Sequence, residues 1–251
     1  MIGEKMKKRI VSLLLFAVVL VSALAAVACK KEPSTNDGKK EDEYLVLVNK
    51  SNPAGKNYTP DMLVSVDKSY TNGEKSISLE IQTSNAVIAM IDAMRKDGIT
   101  NVTVTSGHRT YQYQEQLFNG YIASEKAEHP EMSDEEIRAL VLTYSAAPGT
   151  SEHQTGLCVD LITDEMVGLY NYGSETTKNP YDKGFAETAA YEWLKVHAHE
   201  YGFILRFPEN KTDITGYSYE SWHYRYVGVE HATKIHEKGI TLEEYLESDG
   251  K

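Results

Sequence analysis

Residues 151–160 read Ser-Glu-His-Gln-Thr-Gly-Leu-Cys-Val-Asp, and residues 220–228 read Glu-Ser-Trp-His-Tyr-Arg-Tyr-Val-Gly. Together they offer two imidazoles, a carboxylate at a fixed offset from the first, and a second carboxylate just ahead of the later imidazole. Catalytic zinc takes three nitrogen or oxygen ligands from the protein, keeps one position open for water, and works with a nearby carboxylate that moves the proton. His153, Asp160 and His223 are candidates for the first role, and Glu220 for the last. His153 and Asp160 are seven apart with Gly156 between them, a spacing that a loop running into a strand can close and a helix cannot. On a strand over 157–162, Cys158, Asp160 and Ile162 share one face. Asp160 interrupts an apolar run between Val159 and Leu161, where a carboxylate needs a cation or several hydrogen bonds. Taken alone, a cap or a salt bridge explains Asp160 better; beside two histidines, a metal does.

Glu220 and His223 are three apart, and a regular strand would turn them to opposite sides. A turn must therefore precede Tyr224 if both serve one site. The chemical gain is that metal-bound water falls to a pKa near ~7, so a neighbouring carboxylate can take its proton and pass it to a leaving amine. Arg109 stands where a strand gives way to a helix, a candidate cation for an oxyanion or a substrate carboxylate, although most lone arginines end in surface ion pairs. His197 and His199 fall on different sides of their helix, and His129, His231 and His236 are poorly placed for a shared ion. Cys158 shares the face of Asp160 and so could approach a metal, but cysteine usually packs as a small hydrophobe.

The elements that must position these groups follow from periodicity and punctuation. Apolar residues at 44–48 predict a strand over 44–49. Val87, Ile88, Met90, Ile91 and Met94 predict a helix over 84–96 that stops at Gly98. Val102 and Val104 mark a strand, and helices are expected over 111–125 and 133–145, the second opened by a capping box of Ser133 and Glu136. Further on come a strand over 157–162, a polar loop over 170–184, and a helix over 186–201 stopped by Gly202. Strands over 203–207 and 224–227 and a helix over Val229–Lys238 complete the chain. Strands and helices do not alternate regularly and no repeat is visible, which predicts a single α+β domain with a small, mostly antiparallel sheet flanked by helices.

The formal charge of −11 becomes −14 once residues 1–28 are set aside, with 22 basic against 36 acidic side chains. That balance excludes nucleic acid and electrostatic adhesion to anionic lipid as partners. Residues 1–28 place Lys5, Lys7, Lys8 and Arg9 ahead of an apolar run at 10–27, followed by Cys29, in the manner of a bacterial lipoprotein signal. Lipidation of Cys29 is expected even though Ala26 stands where leucine is usual; cleavage within 25–28 and free secretion is the alternative. Residues 29–43 then form a disordered tether, and any membrane contact runs through the lipid alone. Cys158 would be the single cysteine left in the folded domain, so no disulfide within the domain is expected.

The chain resembles the VanY-type D-alanyl-D-alanine carboxypeptidases, zinc enzymes that trim peptidoglycan stem peptides. The resemblance runs from about Tyr44 to Gly228 and rests on several pieces together. They are Val48-Asn49-Lys50 with Asn52-Pro53; Ser106-Gly107-His108-Arg109-Thr110-Tyr111 with Gln114; residues 151–160; Tyr201-Gly202-Phe203 with Arg206-Phe207-Pro208; and Thr215-Gly216-Tyr217 leading to 220–228. It implies a Hedgehog/DD-peptidase-like fold over 44–251, zinc on His153, Asp160 and His223, and Glu220 as acid and base. By the same matching Arg109 stabilises negative charge, while Gln114 and Ser151 line the substrate site. The chain departs from the pattern at His108 (usually tyrosine), Cys158 (usually alanine) and Ser221 (usually proline). The implied activity is D,D-carboxypeptidase action by an extracytoplasmic, lipid-anchored monomer. The alternatives are an L,D-carboxypeptidase acting on tetrapeptide stems and a non-catalytic metal- or wall-binding lipoprotein. A non-haem iron oxygenase is a further rival, since two histidines and a carboxylate also suit Fe(II).

Overall fold

Alternating apolar and β-branched residues at 102–106 and the apolar-rich run at 158–163 form the paired strands on which the rest is built. In the computed structural model, which describes residues 41–71, 73, 76–167 and 184–249, a short ribbon comes first, β1 (Leu63–Ser65) against β2 (Ser78–Glu80). The main sheet holds β3 (Val102–Ser106), β4 (Cys158–Thr163), β5 (Phe203–Leu205) and β6 (His223–Tyr226) in the order β3-β4-β6-β5, with every pairing antiparallel. The α+β expectation is met. The expected leader, Cys29, the tether up to residue 40 and the polar loop up to residue 183 lie outside the described residues. Among the described residues, no helix is long and apolar enough to cross a membrane.

Helix α1 (Ile81–Lys96) begins three residues before the apolar spacing suggests. Its cap is Glu80, whose carboxylate accepts from the backbone N–H of Gln82 and Thr83 at 2.8 and 3.1 Å. The spacing itself is honoured: Val87, Met90, Ile91 and Met94 are all fully buried against Val159, Leu161 and Phe203 of the sheet. Helices α2 (Tyr111–Glu128) and α3 (Asp134–Tyr144) follow, and both reciprocal bonds of the Ser133–Glu136 capping box form. A short α4 (Asp164–Val167) closes β4. The helix expected over 186–201 is broken into a 3-10 turn Phe185–Glu187, α5 (Ala189–His197) and a second 3-10 turn, Ala198–Tyr201. The Thr188 side chain caps α5 where the sequence pattern runs on. After α6 (Thr212–Thr215) and α7 (Val229–Lys238) comes an unanticipated α8 (Leu242–Asp249), held by Leu242 and Tyr245 in a second apolar cluster with Ile204, Val227 and Ile235.

The strand expected over 44–49 does not form. Residues Glu41–Tyr44 make a 3-10 turn and the next four join no strand. Their carbonyls find a guanidinium instead: Arg225 Nη2 donates to Tyr44 O at 2.8 Å and to Val46 O at 2.7 Å. Leu45 and Leu47 meanwhile pack on the second cluster. Arg225 is fully buried, and its Nη1 also donates to Glu152 Oε2 at 3.1 Å. Removing one member of a buried charge network leaves the others uncompensated. Replacing Arg225 with Met should therefore cost about 3–5 kcal/mol in urea unfolding and expose the 44–48 segment to protease before the rest of the chain.

Candidate metal centre

Antiparallel register sets three polar side chains next to one another. Asp160 on β4 lies opposite His223 on β6 and, past a bulge between Val104 and Ser106, opposite Ser106 on β3. Directly opposed residues point to the same side of a sheet, so Val159 and Leu161 enter the core while Asp160 faces His223. The geometric conflict between Glu220 and His223 is resolved by a turn at Ser221 and Trp222, closed by the His223 N–H on Glu220 O at 3.3 Å. That turn returns the Glu220 carboxylate to 3.5 Å from His223 Nδ1. His153 arrives from the 3-10 turn Glu152–Thr155, which ends on Gly156 at φ 70. A Cβ on Gly156 would stand 3.0 Å from the Glu80 backbone nitrogen, so the left-handed turn that delivers β4 requires glycine. The two imidazoles end with centroids 5.0 Å apart and planes at 88°.

The outer nitrogen of each ring is occupied. His153 Nδ1 lies 2.6 Å from Gly107 O, and a carbonyl can only accept, so that nitrogen carries the proton. His223 Nε2 lies 2.8 Å from Glu152 Oε1. Arg206 and Arg225 hold Glu152 ionised, far below the usual carboxylate range against the opposing effect of burial, so this nitrogen too is the donor. The inner nitrogens then turn lone pairs on the same carboxylate: His153 Nε2 is 3.3 Å from Asp160 Oδ2, and His223 Nδ1 is 3.0 Å from Asp160 Oδ1. Despite that short distance Asp160 Oδ1 is buried with no aligned hydrogen bond. Two lone pairs and an orphaned carboxylate oxygen converging in a buried site fit a divalent cation, with each imidazole oriented by a second acceptor as metal-binding histidines are. The same electron-rich surroundings hold a proton well: burial and Arg109 push His153 down, yet Cys158 and Asp160 raise it to about 9.

Arg109 reaches the cluster from the β3–α2 connection. Its Nη2 donates to Asp160 Oδ2 at 3.1 Å, and its Nε and Nη2 bind Ser106 Oγ at 3.1 and 2.9 Å. Burial pushes the Glu220 carboxyl up to about 7, with His223 opposing and Asp160 reinforcing the shift; a nearby divalent cation would draw it back down. Gln114 is buried near the start of α2, its Nε2 donating to Ala146 O at 2.8 Å and its Oε1 without a partner. Ser151 is buried at the head of the His153 turn and makes no capping bond. A cavity of about 280 Å³ opens beside Arg109, lined by Ser106, His108, Thr110, Tyr113 and Leu117.

Strand alternation allows Cys158 near a metal although its residue type favours plain packing, and its sulfur stands within 4.8 Å of a nitrogen on both His153 and His223. Glu152 escapes a reading by residue spacing. Glu152 anchors His223 while receiving Arg206 Nε at 2.9 Å, and Arg206 in turn forms a two-pronged pair with Glu243 on α8 at 2.9 and 2.7 Å. Its signal in the sequence is faint: an acidic residue directly before a candidate ligand, with two arginines among apolar neighbours.

A family profile described as VanY, D-alanyl-D-alanine carboxypeptidase, matches residues 76–229. A D-alanyl-D-alanine carboxypeptidase of Enterococcus faecalis is 37% identical over 212 residues, covering 84% of this chain and 69% of the relative. The LdcB LD-carboxypeptidase structure is similar at TM-score 0.67 and 33% identity, over 82% of this chain and 87% of the other. A VanY D,D-pentapeptidase from a VanB-type vancomycin resistance cassette, in a mutant form with Zn(II), is similar at TM-score 0.62 and 38% identity, over 81% and 98%. If Glu152 orients His223, Glu152→Ala should weaken zinc binding about 10–100-fold, read by competition with a chromophoric chelator. Glu152→Gln, which keeps an acceptor for His223 Nε2, should lose less.

Proposed function

The chain belongs to the VanY family of D-alanyl-D-alanine carboxypeptidases, and from that premise we propose that it is a zinc metallopeptidase removing the C-terminal D-alanine from peptidoglycan stem peptides. The observation that carries the reading is the convergence of His153 Nε2 and His223 Nδ1 on Asp160, with Glu220 at 3.5 Å from His223. In this reading His153, Asp160 and His223 hold the zinc. When bound, the ion supplies Lewis-acid polarisation of the scissile carbonyl and acidifies the attacking water.

Glu220 takes the proton of that water and delivers it to the departing D-alanine amine, so one carboxyl serves as base and then acid. Its position over the site comes from the Ser221–Trp222 turn, and a fifth of its side chain stays exposed, which lets water and substrate reach it. Arg109 is held by Ser106 and Asp160 and brings a fixed positive charge to the oxygen that becomes negative. In this reading the peptide end lies at the cavity beside Arg109, with Gln114 and Ser151 as further substrate-site residues.

A second reading within the same chemistry, cleavage of tetrapeptide stems at an L,D bond, is supported by the likeness to LdcB. The catalytic groups serve either bond, and the choice falls to the walls of the peptide cavity. The substrate places the protein outside the cytoplasm. Attachment through a lipid on Cys29, ahead of a tether over 29–43, completes the proposal; Cys29→Ala should then release the protein from membranes into the medium.

Mass spectrometry of pentapeptide and tetrapeptide stems after incubation tests the activity. Pentapeptide should lose one D-alanine, and a chelator should stop the reaction until zinc is restored. Glu220→Gln should lower turnover by roughly 10²–10⁴-fold while one zinc per chain is retained. Retention of most activity by Glu220→Gln would end the assignment of Glu220, and shortening of tetrapeptide alone would replace the D,D reading with the L,D one.

A further inference from the structure

Resting on the zinc reading above, we propose that Cys158 is a fourth protein donor to the metal, so that this chain grips its ion with a thiolate in addition to two imidazoles and a carboxylate. Cys158 is fully buried and opens β4 two residues before Asp160, on the same face of the strand. In register it faces Arg225, one pleat from the His223–Asp160 pair, and its sulfur stands within 4.8 Å of nitrogens on both histidines. A tetrahedral zinc with bonds of about 2.0–2.1 Å to nitrogen and 2.3 Å to sulfur has donor–donor edges of roughly 3.3–3.6 Å. The separations between the sulfur and the two imidazole nitrogens therefore need to close by about an ångström.

Charge argues the same way. Asp160 does not give its whole negative charge to the site, because Oδ2 is shared with the Arg109 guanidinium at 3.1 Å. Two neutral imidazoles and a carboxylate already paired with arginine give a buried divalent ion little negative charge beyond that of Glu220, 3.5 Å from His223. Asp160 Oδ1, buried, 3.0 Å from His223 Nδ1 and without an aligned partner, marks the surroundings of the imidazoles as a place for a cation, independently of the cysteine. A thiolate adjoining it adds the missing charge, and sulfur is a donor that zinc accepts readily. Binding converts the thiol to a metal thiolate with release of its proton to solvent, and no electron transfer is involved.

The consequence is a resting metal more closed than a site of three protein ligands and one water. Cys158 would then have to yield its place, or the ion accept a further ligand, for water and substrate to reach it. The chain should hold zinc more tightly than its Cys158→Ala variant and should favour softer metals.

Cobalt(II) in place of zinc tests this directly on the full chain carrying Cys29→Ala, in which Cys158 is the remaining thiol. The expected spectrum has visible ligand-field bands together with an intense near-ultraviolet thiolate-to-cobalt charge-transfer band. Adding Cys158→Ala or Cys158→Ser should abolish the ultraviolet band and keep the visible ones, and Cys158→Ala should release zinc to a chelator at about ten times lower chelator concentration or less. Visible bands without charge transfer in the Cys29→Ala chain would overturn the cysteine ligand and leave the zinc site standing, and this result needs no Cys158 variant to fold. Absence of both sets of bands would overturn the zinc reading and this proposal together.

Discussion

Glu152 is a buried carboxylate that three cations or donors claim at once, and the geometry of the site hangs from it. Arg206, Arg225 and His223 all reach its two oxygens at 2.8–3.1 Å. A lone ionised carboxylate in such a place would be prohibitively costly, whereas two arginines balanced by Glu152 and Glu243 sum to a neutral, fully bonded group. Each member fastens a different part of the chain: Arg225 the segment around Tyr44 and Val46, Glu243 the C-terminal helix, Arg206 the end of β5. The imidazole of His223 is the point at which this scaffold meets Asp160. Its tautomer and ring orientation follow from a charge network reaching to both ends of the folded unit.

The other half of the geometry is the sheet. Asp160 sits opposite His223 and Ser106 because β4 pairs with β6 and with β3 in one register, and a shift by one residue would turn every polar group of β4 into the core. The packing of Val159 and Leu161 against α1 forbids that shift. Hydrophobic burial on one face thus enforces a polar arrangement on the other. Irregular backbone does what regular strands cannot: the bulge in β3 brings Ser106 level with Asp160, the Ser221–Trp222 turn folds Glu220 back over His223, and Gly156 turns the His153 segment into β4.

Within this frame the three positions expected to depart from the family pattern sit in different settings. His108 is half-buried on the wall of the cavity beside Arg109. Ser221 lies inside the turn that carries Glu220, where a proline would stiffen the backbone. Cys158 stands against the imidazoles themselves.

Much of this could be read from residue order. Local signals settled the helices with clear caps and periods, as the Ser133–Glu136 box and the Met90–Met94 face show. A carboxylate breaking the apolar run of β4 announced a buried charge with work to do, and the spacing of Glu220 and His223 required the turn that is present. The segment at 44–49 misled, because its apolar pattern specifies burial and says nothing of whether a strand or the Arg225 guanidinium will take its carbonyls. The helix over 186–201 misled for a related reason, a threonine cap being free to interrupt a continuous apolar stripe. Residue types and local spacing therefore determined which groups are able to do chemistry and which stretches prefer helix or strand. Only the folded chain decided which of them meet, because the Glu152 network, the facing of Asp160 with His223 and the approach of Cys158 are contacts between segments far apart in sequence, selected by register and by charge balance inside the core.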